Sequence, residues 1–137
     1  MILLDTNVLI ALMANRALRP MAAAAIRAAT PTGDVLVSAT TAWEIGLLAT
    51  RTGRSSRMFV PDGRAWFAAA IGLPGIRVLP FDAVMALDAA YLPGNFHRDP
   101  SDRWLVSSAR VAGIPLLTMD RAILEYAKAG HVEAIHA

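Results

Sequence analysis

The chain has no cysteine, a single lysine, and no apolar run approaching the ~18 residues that a membrane-spanning helix requires. Without cysteine, disulfides and thiolate chemistry are excluded. His97, His131 and His136 do not fall in a zinc-ligand spacing. The N-terminus lacks a basic segment, and Asp5 and Asn7 interrupt what would be the apolar core of a signal peptide, so export is not indicated and a cytoplasmic protein is expected. There is no Walker loop and no G-x-G-x-x-G cradle, which argues against nucleotide binding as the main activity. The one lysine, Lys128, falls late in a helix, whereas a phosphoacceptor receiver domain would need a lysine after a late strand.

A length of 137 residues suits one domain with a proper core, residues 1–137, and is short for two. The hydrophobic share is 55%, above the ~45–50% typical of soluble domains, which hints at a surface covered by a partner. Net charge is only +2, yet arginine supplies all but one of the 13 basic residues. Arginine's planar fork suits phosphate, although an arginine-rich composition alone gives the same bias.

Short apolar segments alternate with helical patterns along the whole chain. Met1 to Leu4 reads as a buried strand, with helices over Val8–Met13 and Leu18–Ala29 split near Arg19-Pro20. "TPTGD" is turn chemistry, "VLVS" a second strand, and Thr41 to Thr52 a helix. After the polar loop Gly53–Arg57 come a helix over Asp62–Gly72, a strand over Ile76–Pro80 and a helix from Asp82 to Tyr91. The loop "LPGNFHRDP" leads into a helix that Pro100 starts and Gly113 ends. Pro115–Thr118 is a fourth strand, Arg121–Ala129 a last helix and "HVEAI" an edge strand. This alternation predicts an α/β fold, a central parallel sheet of four to five strands flanked by helices on both faces.

In such a sheet the residues that follow the strands gather along one edge. Asp5 follows the first strand, Glu44 falls in the first turn of the helix after the second, Asp99 and Asp102 open a later helix, and Asp120 follows the fourth strand. Asp34 precedes its strand and belongs at the opposite edge. Each acid also has an ordinary explanation: Asp5, Asp82, Asp99 and Asp120 suit N-caps, and Thr41 to Glu44 fits a capping box. Asp82 is read as a cap only. For the others the conjunction matters more, because several carboxylates at one edge repel one another unless a cation compensates them. A hard divalent ion is the natural compensator, since Mg²⁺ and Mn²⁺ prefer oxygen ligands.

"MILLDTNVLIALM", "TTAWEIGLL", "HRDPSDRWLVSSAR" and "LLTMDRAI" resemble, in order, the four motif blocks of PIN-domain ribonucleases, specifically the VapC-like toxins of type II toxin-antitoxin modules. The resemblance implies a PIN-like fold and an endoribonuclease that uses Mg²⁺, or Mn²⁺, and leaves a 5′ phosphate. It makes Asp5, Glu44, Asp102 and Asp120 the four acids, with Asp99 an additional or alternative ligand, and gives Thr6, Asn7 and Thr118 a supporting role. This chain departs from many relatives at Ser101, where they carry an aromatic, and at Leu47 and Leu48, where a lysine often stands; these positions bear on RNA placement more than on hydrolysis.

Arg98, Arg103 and Arg121 flank the acids and are candidates for RNA phosphate contacts, with a solvated helix end as the plainer role for each. Leu9, Leu12, Met13, Leu18, Met21 and Ile26 are expected to supply core and a homodimer contact. Trp43, Trp66 and Phe67 read first as core and second as the lining of a groove for an antitoxin, the protein partner that the resemblance implies. The competing reading from another class is a non-catalytic module that keeps the fold and binds RNA or a partner.

Overall fold

The computed structural model describes all residues from Met1 to Ala137 apart from the side chain of Ser55. Five parallel strands form one sheet: β1 (Ile2–Leu4), β2 (Val35–Ser38), β3 (Ile76–Leu79), β4 (Leu116–Thr118) and β5 (Ala134–His136), in the spatial order β3-β2-β1-β4-β5. Seven helices connect and cover them: α1 (Thr6–Met13), α2 (Pro20–Ala29), α3 (Ala39–Thr50), α4 (Gly63–Ile71), α5 (Ala83–Ala90), α6 (Pro100–Ala112) and α7 (Arg121–Lys128).

The period-two alternation of the strands divides the core into two. Ile2 and Leu4 of β1, Val35 and Val37 of β2, and Leu117 of β4 point to one face, where Val8, Leu9, Ala22, Ile45 and Trp66 of α1 to α4 pack. Leu3, Leu36 and Leu116 point to the other, under Leu105, Val106 and Ala109 of α6 and Ile123 and Tyr126 of α7. The central strands are thus buried on both faces, which is why they read as unbroken apolar runs rather than as alternating ones.

Several boundaries move from their expected places, each for a local reason. α1 starts at Thr6, directly after Asp5, so no turn intervenes between strand and helix. α2 starts at Pro20, whose fixed φ suits the first helical position, and leaves Leu18 outside. α3 starts at Ala39 because Ser38, the last residue of β2, caps it by accepting from the Thr40 N–H at 3.2 Å. The expected capping box at Thr41–Glu44 therefore does not form, and Glu44 sits in the second turn of α3. The expected loop at Gly53–Arg57 is largely a 3₁₀ turn over Arg54–Met58. β5 begins at Ala134, three residues later than expected.

Trp66 is core, packed edge-on against Phe59 at 5.1 Å between ring centroids, and Phe67 is half-buried against the same cluster. Trp43 is 49% exposed and meets Trp104 edge-on at 5.4 Å. Met21, expected in the core, is 71% exposed on the outer side of α2. No helix is long and apolar enough to cross a membrane among the described residues.

Candidate active site

The strands all end at one edge of the sheet, and the acids follow from that topology. Asp5 leaves β1 with extended backbone (φ −65°, ψ 151°) and occupies the N-cap position of α1, yet its carboxylate makes no capping hydrogen bond. Instead it accepts from the Thr118 hydroxyl, at the end of the neighbouring β4, at 2.5 Å. Asp5 is only 5% exposed. A carboxylate so buried is costly to ionise. Its pKa is accordingly raised to about 6, chiefly by burial and further by the charges of Glu44 and Asp120, against the lowering effect of the Thr118 hydrogen bond and of the nearby Asn7 N–H dipole.

Thr118 has a double role. The hydroxyl that donates to Asp5 also accepts from the Asp120 backbone N–H at 2.9 Å, so one buried threonine at the end of β4 ties the first acid to the last. Thr6, also buried, does the equivalent for Glu44: its hydroxyl donates to Glu44 Oε2 at 2.5 Å, linking the start of α1 to α3. Asn7 takes part through its main chain, while its side chain is exposed.

The other acids divide by what their oxygens already do. Asp120 caps α7, accepting from the Ile123 N–H at 3.0 Å, and Asp99 caps α6, accepting from the Ser101 N–H at 2.9 Å. Asp82 likewise caps α5 through the Met85 N–H and plays no part in the acidic edge. Asp102, in the first turn of α6, has its pKa raised to about 7 by partial burial and by the charges of Asp99, Asp120, Asp5 and Glu44, in that order. The structure thus brings the other four acids within electrostatic reach of Asp102.

His97 is the residue here that the sequence did not single out. Its Nδ1 accepts from the Asp99 backbone N–H at 3.3 Å and its Nε2 stands 3.3 Å from Asp102 Oδ2. The ring is set by stacking on Phe96, which in turn stacks on Tyr126 at 4.7 Å. No zinc-like spacing marks this histidine; its signal is the position just before the acids of the third block.

The flanking arginines separate. Arg98 and Arg121 are exposed. Arg103 does not fit a phosphate-binding role: its guanidinium donates to the carbonyl oxygens of Ala89, Ala90, Phe96 and His97 at 2.8–3.3 Å. It clasps the end of α5 to the loop that carries His97 and Asp99, and four of its five N–H donors are spent on that task.

Among the described residues, no group of three His, Cys, Asp or Glu side chains converges closely enough to enclose an ion by itself. The donor set nevertheless fits a hard cation that keeps part of its water shell. The donors are carboxylate oxygens, two of them on groups whose neighbours oppose ionisation, and among the described residues no arginine or lysine pairs with any of the five. Arranged so, the edge can hold positive charge and orient a water or a phosphate beside it.

The family model of the PIN domain matches residues 2–129. No curated protein matches. Among solved structures, the fold is similar to VapBC2 from Rickettsia felis bound to a promoter DNA fragment, at 11% identity and a TM-score of 0.69 over 98% of each chain. It is also similar to DNA-bound VapBC from Salmonella typhimurium, at 17% identity and 0.68 over 98% of this chain and 96% of that one. VapBC-5 from Mycobacterium tuberculosis is similar at 22% identity and 0.62 over 98% and 97%. At these identities the likeness is one of fold, and with the family match over nearly the whole chain it leads to one conclusion: the chain belongs to the PIN-domain family.

Proposed function

We propose that the protein is a metal-dependent endoribonuclease, the toxin of a type II toxin-antitoxin module. The observation that carries this reading is Asp5: buried, free of capping, held by Thr118, and repelled by Glu44 and Asp120 with no protein cation to relieve it. A fold that needed only stability would gain by replacing such a group with an apolar or neutral one.

Asp5 and Asp102, with Glu44, Asp99 and Asp120, would hold Mg²⁺ or Mn²⁺. When bound, the ion supplies charge neutralisation at the scissile phosphate and a more acidic water. Thr118 and Thr6 hold the carboxylates of Asp5 and Glu44 in fixed rotamers, so little reorganisation accompanies the reaction. Asp120 and Asp99 each keep one oxygen on a helix cap and one free. Arg98 and Arg121 contact phosphates on either side of the cut. Hydrolysis leaves a 5′ phosphate. The structural neighbours are VapBC toxin-antitoxin complexes, which supports a cognate antitoxin as partner. In this reading the working form is a homodimer in the cytoplasm.

The test is cleavage of a structured RNA pool by purified protein and by Asp5→Asn, in Mg²⁺, in Mn²⁺ and in EDTA, with the cut ends mapped. Cutting that needs metal and vanishes in the variant is expected. Antitoxin-free wild-type protein that cuts no RNA in either metal would turn the assignment toward a non-catalytic binding module.

A further inference from the structure

A cavity of about 720 Å³ opens between α1 and the start of α7, beside the acidic edge. Asn7, Ile10, Arg16, Met119, Asp120 and Arg121 are among the residues that line it. We infer that this cavity is a nucleotide subsite that seats one base next to the cut, with Arg16 and Arg121 on its flanking phosphates. The inference rests on the ribonuclease reading and adds to it a specificity pocket and a residue, Arg16, that lies outside all four motif blocks.

Three observations carry it. The first is charge. Among the described residues neither Arg16 nor Arg121 makes an ion pair or a side-chain hydrogen bond. Arg121 also lines the larger cleft of about 1090 Å³ between α6, α7 and β5, where the other two cations are paired, Arg110 with Asp88 and Lys128 with Glu125; Arg16 belongs to the smaller cavity alone. The second is rigidity. Asn15 adopts a left-handed conformation (φ 52°), and the N–H groups of Asn15 and Arg16 close back on the carbonyls of Leu12 and Ala11. This is the Schellman closure of a helix end, and it fixes the backbone of Arg16 against α1. The third is lining. Apolar side chains, Ile10 and the 36%-exposed Met119, line the same cavity as two cations, and a base with its two flanking phosphates has the complementary mix of groups. The volume falls within the ~300–1,000 Å³ usual for small-ligand sites.

Binding of a fluorescent random-sequence RNA 10-mer is measured in Mg²⁺ over a range of salt, in the Asp5→Asn background, with and without Arg16→Ala or Ala17→Trp. Ala17 lines the cavity and is exposed, so tryptophan there fills it without entering the core. Arg16→Ala is expected to weaken binding and lower the log–log salt slope by about 0.7, one single-strand phosphate contact. Ala17→Trp is expected to weaken binding about tenfold and, with Asp5 intact, to change which base is preferred beside the cut. RNA affinity and slope that neither substitution alters would overturn the inference. So would an Ala17→Trp variant that binds RNA normally but loses an acidic antitoxin peptide, which would make the cavity a protein dock. If wild-type protein cuts nothing while cavity-dependent RNA binding persists, the nuclease reading fails and the subsite stands; if it cuts and the variants cut alike, the subsite alone fails.

Discussion

Asp5 and Asp34 stand at opposite ends of two neighbouring parallel strands: Ile2 of β1 pairs with Val35 of β2, one residue beyond Asp34, and Asp5 follows Leu4. Asp34 is neutralised where it stands. Thr32 donates to it at 2.6 Å and Arg77 of β3 at 3.0 Å, and these partners, Thr32 first, hold its pKa below the usual carboxylate value. Asp5 has a hydrogen bond but no cation, and its pKa moves the other way. The same chemical group is thus solved locally at one edge of the sheet and left unsolved at the other. The comparison teaches that the acidic edge is not a by-product of α/β topology, because the opposite edge shows how this chain disposes of an acid that has only to be tolerated.

The comparison breaks most readily at Asp5. Asp5→Asn should reduce metal-dependent RNA cleavage by more than about 100-fold, beyond what loss of a supporting group costs. Asp34→Asn should leave the cleavage rate at the wild-type value in the same assay.

Thr118→Val sharpens it, since it removes the bond between the first and last acids while keeping the shape of the side chain. Mn²⁺ affinity measured by titration calorimetry should fall about 10–100-fold, the range for partners that orient a ligand. Arg103→Lys should have a smaller effect of the same kind, because an ammonium cannot span four carbonyls: a lower melting temperature, and weaker Mn²⁺ binding through the displaced Asp99 loop.

The pH dependence separates the two edges by sign. Asp5 and Asp102 have folded-state pKa values of about 6 and about 7, above those of the unfolded chain, so they favour folding while protonated. In metal-free protein the stability they contribute is full below about pH 4 and is lost as pH rises through 6 and 7. Asp5→Asn should therefore raise the melting temperature of metal-free protein at pH 8 and leave it nearly unchanged at pH 3. Asp34, with its lowered pKa, contributes in the opposite sense: its share is present above the unfolded value and lost on acidification. Arg77→Ala should remove that acid-side share and shift the melting curve least of all these changes, as exposed ion pairs do.

Much of this edge was legible because its ingredients are local. Unbroken apolar runs such as Leu3-Leu4 and Leu116-Leu117 mark strands buried on both faces, and a parallel sheet then aligns Asp5 with Asp120 without further information. What was not legible depends on groups that sequence cannot pair. Ser38 is both the last strand residue and the cap of α3, so the better-looking capping box at Thr41 misplaced the helix start by two residues. Arg103 looked like its neighbour Arg98, yet its partners are backbone carbonyls from another helix and a loop, which carry no residue signature. His97 was passed over because only the folded loop turns its ring between Asp99 and Asp102. Met21 follows the helical spacing of a core residue, but α2 is covered on one side alone.

The central claim is that the acids at the ends of β1 and β4 are left uncompensated for a divalent cation. Calorimetric titration of Mn²⁺ into metal-free wild-type protein and Asp5→Asn, at pH 7.5 and at pH 5.5, tests it without reference to any RNA. Saturable binding is expected, tighter at pH 7.5, with protons released as Asp5 and Asp102 ionise, and lost in the variant. Absent binding at both pH values, or equal binding by wild type and variant, would contradict it.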